Sequence, residues 1–199
     1  MSSDKSTVSG RYIVIVGVCS FFIAVAFTLL SEYFASHLNS IILALVFLLF
    51  ITTVNILADV VGTAVAASSH APFNARAAKK VKGAKHGLML VKNADRVANI
   101  ANDVIGDITT AVSGALGISI VAQIVRTNPG SDKFWLNVLL TATISVVIVT
   151  GKACGKRYSL RNPDKVVFFV GSILAGFENL TGISFFRRPR LKNRQKVTK

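Results

Sequence analysis

Apolar residues in this chain fall in long blocks separated by short polar, basic stretches. A block crosses the hydrocarbon core of a bilayer as one helix once it reaches about 20 residues. Tyr12–Leu30 comes close to that length without a single charge. Ile41–Ala67 is interrupted only by Asp59, Val97–Val125 holds Asp103 and Asp107, and Phe134–Gly151 is again uncharged. A fifth block, Val166–Phe186, is weaker because it contains Glu178, Asn179, Gly171, Gly176 and Gly182. Such a segment is expected to lie in the interface or to re-enter rather than to cross. Between the second and third blocks runs FNARAAKKVKGAKHGLMLVKNADR. Its Ala and Lys favour helix. Pro72 suits a helix start, and Gly83 and Gly87 are expected to divide the segment into two short helices, a hairpin on the membrane surface. Asn128-Pro129-Gly130-Ser131 signals a turn.

Charge gives these blocks a direction. The 199 residues are 52% hydrophobic, yet carry 23 Lys+Arg against 9 Asp+Glu, a net charge of +14. The excess sits in three places: 69–96, 152–165 and the tail 187–199. Connectors 31–40 and 126–133 are nearly neutral. Basic connectors stay in the cytoplasm, which places the N-terminus, the hairpin, 152–165 and the tail there. Four crossings satisfy this, whereas a fifth would carry the tail outside. The expected fold is an all-α integral membrane protein with about four transmembrane helices, a cytoplasmic-side helical hairpin and an interfacial or re-entrant C-terminal helix. Its expected place is the cell (inner) membrane, multi-pass, with both termini cytoplasmic. The first apolar block is too long for a signal-peptide core and is expected to be retained.

The same distribution separates membrane from nucleic-acid chemistry. The cations lie between apolar blocks, no zinc spacing or nucleic-acid module is present, and there are one Trp and three Tyr. The basic loops and tail instead suit anionic lipid headgroups. Cys19 and Cys154 have no neighbouring thiol and give neither a disulfide framework nor a metal cluster. His37, His70 and His86 have no ligand spacing, and no hydrolase, phosphate-loop or zinc-protease motif occurs. The chain is expected to be no enzyme.

Candidate chemistry lies in the acids within the spans. An ionisable group there costs at least ~2.5 kcal/mol and usually faces a protein interior or cavity. Asp103 and Asp107 share one helix face, with Asn102 beside them. At ~1.5 Å per residue they stand roughly 9 and 15 Å from the helix end at Val97, and Asp59 about 12 Å from Ala67. The three carboxylates thus reach similar depth. With the Asn102 amide they form a set of hard oxygen donors suited to Mg²⁺ or another divalent cation. Pairing of the acids with Lys152 and other boundary cations is the structural alternative. In AVSGALG, Ala111 with Ala115 and Ser113 with Gly117 are small residues at helix-packing spacing. A homodimer is expected.

Gly151-Lys152-Ala153-Cys154-Gly155-Lys156, followed by Arg161-Asn162-Pro163-Asp164-Lys165-Val166, resembles a motif of the CNNM/CorC-type magnesium transporters. That family ends its last full span with Gly-Glu-x-x-Pro-Lys and then Asn-Pro-acid-x-Val. Asn93–Arg96 (NADR) is similar to the Asn-Pro-Asp/Glu-Arg that opens the family's middle span, and Ala101-Asn102-Asp103 to its Gly-Asn-Asn. Thr63-Ala64-Val65 is similar to the Thr-Ala-Leu ending its first span. The likeness covers about residues 40–186, leaving 1–39 as an N-terminal segment with an additional transmembrane helix and 187–199 as a basic cytoplasmic tail. It implies divalent cation transport or homeostasis, with Mg²⁺ as the expected ion. Lys152 stands where the family's cation-binding Glu would be, Gly155 replaces Pro, and Val61-Gly62 replaces Ser-Glu. The family's nucleotide-binding CBS pair is missing, so no nucleotide site is expected. The alternative reading is a transport-incompetent scaffold or regulatory partner in which Lys152, as an internal counter-ion, replaces the cation.

Overall fold

The computed structural model describes residues 10–37 and 41–182, and the basic tail 187–199 lies outside them. Every regular element among the described residues is helical: α1 (Gly10–His37), α2 (Ile41–Ala67), α3 (His70–Ala78), α4 (Ala84–Lys92), α5 (Ala94–Asn99), a π-helical turn (Ile100–Ile105), α6 (Gly106–Thr127), α7 (Lys133–Arg161) and α8 (Pro163–Thr181). α5, the π turn and α6 form one continuous rod, Ala94–Thr127. Four helices are long and apolar enough to cross a membrane: Ile13–Tyr33, Ile41–Ala67, Ala94–Thr127 and Lys133–Arg161. Their outward residues, such as Phe21, Phe22, Leu49, Phe50, Trp135 and Val149, are large, apolar and exposed. That composition fits a lipid-facing surface, because lipid rather than water then meets the apolar side chains. The chain is an all-α membrane protein.

α2 is the central helix and packs most extensively against α7 and α6, while α1 leans on α6 from outside. Two apolar clusters hold the bundle. One, toward the 128–132 turn, joins Ala44, Leu48 and Ile51 to Val112, Leu116 and Ile120. The other, at the hairpin end, joins Ala64 and Val65 to Phe73, Leu90, Val91, Val166 and Val167. α7 reaches α2 closely because Gly151 and Gly155 lie against Ile56 and Val60. Any side chain at those glycines would meet α2, the close approach that small residues four apart permit in membrane bundles. Ser159 Oγ then donates to the Val60 carbonyl at 2.9 Å.

Two sequence expectations are corrected by the structure. Residues 152–161 are not a connector: α7 runs about ten residues beyond its last apolar stretch to Arg161, where Asn162 and Pro163 break it and open α8. Gly87 does not divide the hairpin. It lies buried inside α4 against Phe73, and the break is at 79–83, where Gly83 takes the left-handed conformation, φ 83°. The two small pairs of α6 lie on two faces. Ser113 and Gly117 are buried, with Gly117 against Ile144, while Ala111 and Ala115 are exposed.

The α3–α4 hairpin folds back onto α8. Gly171 lies against the Gly83 carbonyl and the Gly87 backbone, so α4 and α8 meet main chain to main chain. His86 Nε2 and Glu178 Oε2 are 2.6 Å apart across this contact, and Arg76 lies over the Phe168 ring, 4.9 Å from its centroid. The expected hairpin and C-terminal helix therefore form one unit at the end where α2 stops and α5 begins.

Candidate polar site in the membrane bundle

Between the two apolar clusters lies a polar layer. α2 presents Asn55, Asp59 and Gly62 at i, i+4 and i+7, one helical face. All three are buried, Asn55 at 0% exposure and Asp59 at 3%. By helical rise Asn55 sits about 18 Å from the hairpin end of α2 and Asp59 about 12 Å. The facing element is the π turn. Gly106 N–H donates to the Ala101 carbonyl, five residues back, instead of keeping the usual four-residue ladder. This widening places Asn102 on the α2 side, with its side-chain oxygen against Gly62. A β-carbon at Gly62 would collide with that amide, so the glycine lets the two helices close around it.

The hydrogen-bond account of this layer is incomplete. Asn55 Nδ2 donates to Thr110 Oγ1 at 2.7 Å, and that hydroxyl donates in turn to the Gly106 carbonyl at 2.8 Å. Thr52, Thr109 and Ser113 turn their hydroxyls back to their own helix carbonyls. Yet Asn55 Oδ1, Asn102 Oδ1 and Asp59 Oδ2 are buried and accept no hydrogen bond from the described residues. Lys156 Nζ stands 3.4 Å from Asp59 Oδ2, an ion pair without hydrogen-bond alignment. Leaving a buried acceptor unsatisfied costs about 1–3 kcal/mol. Three in one layer therefore ask for a donor or a cation.

α7 supplies the positive side. Lys152, Lys156 and Ser159 lie at i, i+4 and i+7, on the flank of α7 that turns to α2 and the π turn. Lys156 is half exposed and pairs with Asp59. Lys152 Nζ lies 3.5 Å from the point where a β-carbon on Gly106 would sit, and Asn55 Oδ1 lies 3.8 Å from the same point. Among the described residues, no carboxylate lies within ion-pair distance of Lys152. At Asp59 the counter-ion is thus Lys156, one turn beyond the residue that the sequence marks out.

Of the acids singled out in the sequence, Asp59 is interior, whereas Asp103 and Asp107 are exposed. Asp103 Oδ2 accepts from Asn99 Nδ2 at 2.7 Å within its own helix. No group of three or more His, Cys, Asp or Glu positioned for a metal exists among the described residues. Asn102 turns its amide to Gly62 of α2, whereas its sequence neighbour Asp103 is exposed. Of the family-like motif, Gly151 packs on α2, Lys156 pairs with Asp59, and Asn162 with Pro163 makes the α7–α8 break. Asn55, Gly106 and Thr110 were not singled out in the sequence. Asn55 was legible as the residue one turn before Asp59 on an otherwise apolar face, but the π turn that aims Asn102 leaves no periodic signal. Comparison with protein-family models, with curated proteins and with solved structures gives no match for this chain.

Proposed function

We propose that this chain is a multi-pass membrane protein of cation transport or homeostasis, in which Asn55, Asp59 and Asn102 line the path of a small hard cation along the α2 face inside the bundle. The observation that carries this reading is the set of three buried side-chain oxygens without a donor among the described residues, spread along the α2 face that the π turn meets. Carboxylate and amide oxygens favour Mg²⁺, Ca²⁺ or Na⁺ over softer metals, and Mg²⁺ is the first ion to test. Isolated π turns occur often at functional sites, and buried polar groups within spans mark ion paths. Asp103 and Asp107, exposed near the hairpin end, supply negative charge at the approach. The positive-inside rule puts that end in the cytoplasm of a cell membrane, where the basic hairpin meets anionic headgroups.

The scaffold alternative gains from one observation: two ammonium groups, of Lys152 and Lys156, accompany a single buried carboxylate. Thermal unfolding of the purified protein across Mg²⁺, Ca²⁺, Mn²⁺ and Na⁺ separates the two readings. A bound ion raises Tm with concentration, and Asp59→Asn should abolish the rise. No rise with any ion favours the scaffold.

A further inference from the structure

Among the described residues no ion pair accounts for the place that Lys152 occupies. A lysine near the end of a span ordinarily stretches along the surface to carry its charge to water. Half-exposed Lys156 follows that pattern while touching Asp59. Lys152, one turn deeper, instead ends beside buried Gly106, on the same spot that Asn55 Oδ1 borders from α2 and the Ala101 carbonyl borders at 3.7 Å. An ammonium is a compact cation with three donors on a flexible stem. Here it stands near one of the oxygens that lack a donor, that of Asn55, and Gly106 leaves the space between them open.

We propose that the Lys152 ammonium is a tethered competitor for a cation at Asn55: it supplies positive charge beside the Asn55 amide oxygen and the Ala101 carbonyl and keeps a soluble cation out until its side chain withdraws. This rests on the reading of the Asn55–Asp59 face of α2 as a cation site. Two features of the chain make the exchange workable. The lysine stem is long enough to swing toward the hairpin end, where its neighbours Lys156 and Arg157 are already exposed. Asp59 also keeps its own partner in Lys156, so withdrawal of Lys152 strands no carboxylate. Repulsion between the ammonium and an entering ion scales with the ion's charge. Lys152 therefore discriminates against divalent ions more strongly than against monovalent ones.

The test compares cation-dependent Tm shifts of the full chain with those of Lys152→Met, using Mg²⁺ and Na⁺ separately. Lys152→Met should reach half-effect at a Mg²⁺ concentration at least about tenfold lower than the wild type. Its gain for Na⁺ should be smaller, a charge dependence that a merely structural role would not produce. Lys152→Arg should respond no better than the wild type. Equal midpoints in wild type and Lys152→Met overturn the competitor while leaving the cation site standing. No shift in either protein overturns both. If Lys152→Met does not fold, a stability cycle between Lys152→Gln and Asn55→Leu replaces it. The two substitutions should then couple, and strict additivity overturns the proposal.

Discussion

The α2–α6 pairing has two unlike halves. Toward the 128–132 turn, Leu48 and Ile51 meet Leu116 and Ile120 in an apolar cluster. One to two turns further along the same helices, Asn55 and Asp59 face Asn102, Thr110 and the lysines of α7. Lipid tails are as apolar as leucine, so neither half gains from hiding apolar surface from water. The apolar half is held by packing alone. The polar half adds two interhelical hydrogen bonds and one ion pair, and still leaves three oxygens without donors among the described residues. Stability accounts for the first half and not for the second, which is why the second is read as the functional one.

Substitutions can break that contrast at either half. The largest effect is expected from Lys156→Met, which strands the buried Asp59 carboxylate and should cost about 3–5 kcal/mol. The reverse change, Asp59→Asn, frees a lysine that is already half exposed and should cost far less while abolishing the cation response. Detergent titration of unfolding measures both. If the two cost the same, Asp59 is not the desolvated partner. Leu116→Ala, in the apolar half, should cost about 2 kcal/mol through its cavity and leave the cation response unchanged. A changed response would mean that the halves are not separable.

Asn55→Leu sharpens the comparison in the opposite direction. It removes an unsatisfied buried oxygen together with the bond to Thr110, at similar volume, so stability should hold or rise by about 1 kcal/mol. The cation-dependent Tm shift should vanish, and a large loss of stability would show that the polar layer is structural. Gly106→Ala is the mildest change. The new methyl meets Lys152 Nζ, the Ala101 carbonyl and Asn55 Oδ1 at ordinary contact distances. Helix stability should rise by about 0.5–1 kcal/mol, while the methyl fills the space between ammonium and amide and weakens the ion response.

The α4–α8 contact shows a different economy from both halves. It relies on backbone approach at Gly83, Gly87 and Gly171, with the His86–Glu178 pair beside it. No side-chain adjustment can relieve a β-carbon at Gly171, because its neighbours there are the Gly83 carbonyl and the Gly87 backbone. Gly171→Ala should accordingly detach the hairpin from α8, seen as faster proteolysis within 70–92, with the four long helices intact.

Hydropathy and charge along the chain determined the class of this protein. Runs of spanning length have few fates other than membrane helices, and three of the four long helices begin and end within a few residues of the places that those runs mark, while α7 overruns its mark. The basic hairpin was legible for a similar local reason: Ala and Lys favour helix, and Gly83 breaks it. Residues 152–161 were misread because charge ends an apolar block without ending a helix. Lys152 and Lys156 extend α7, and only Asn162-Pro163 stops it. The polar layer was decided by tertiary structure. Sequence spacing puts Asp103 with Asp107 and leaves Asn55 unremarked, whereas the π turn rotates Asn102 toward Gly62 and α7 delivers Lys156 to Asp59. Which polar groups meet depends on helix rotation and on approach distances set by glycines of other helices, and neither quantity is written in the local order of residues.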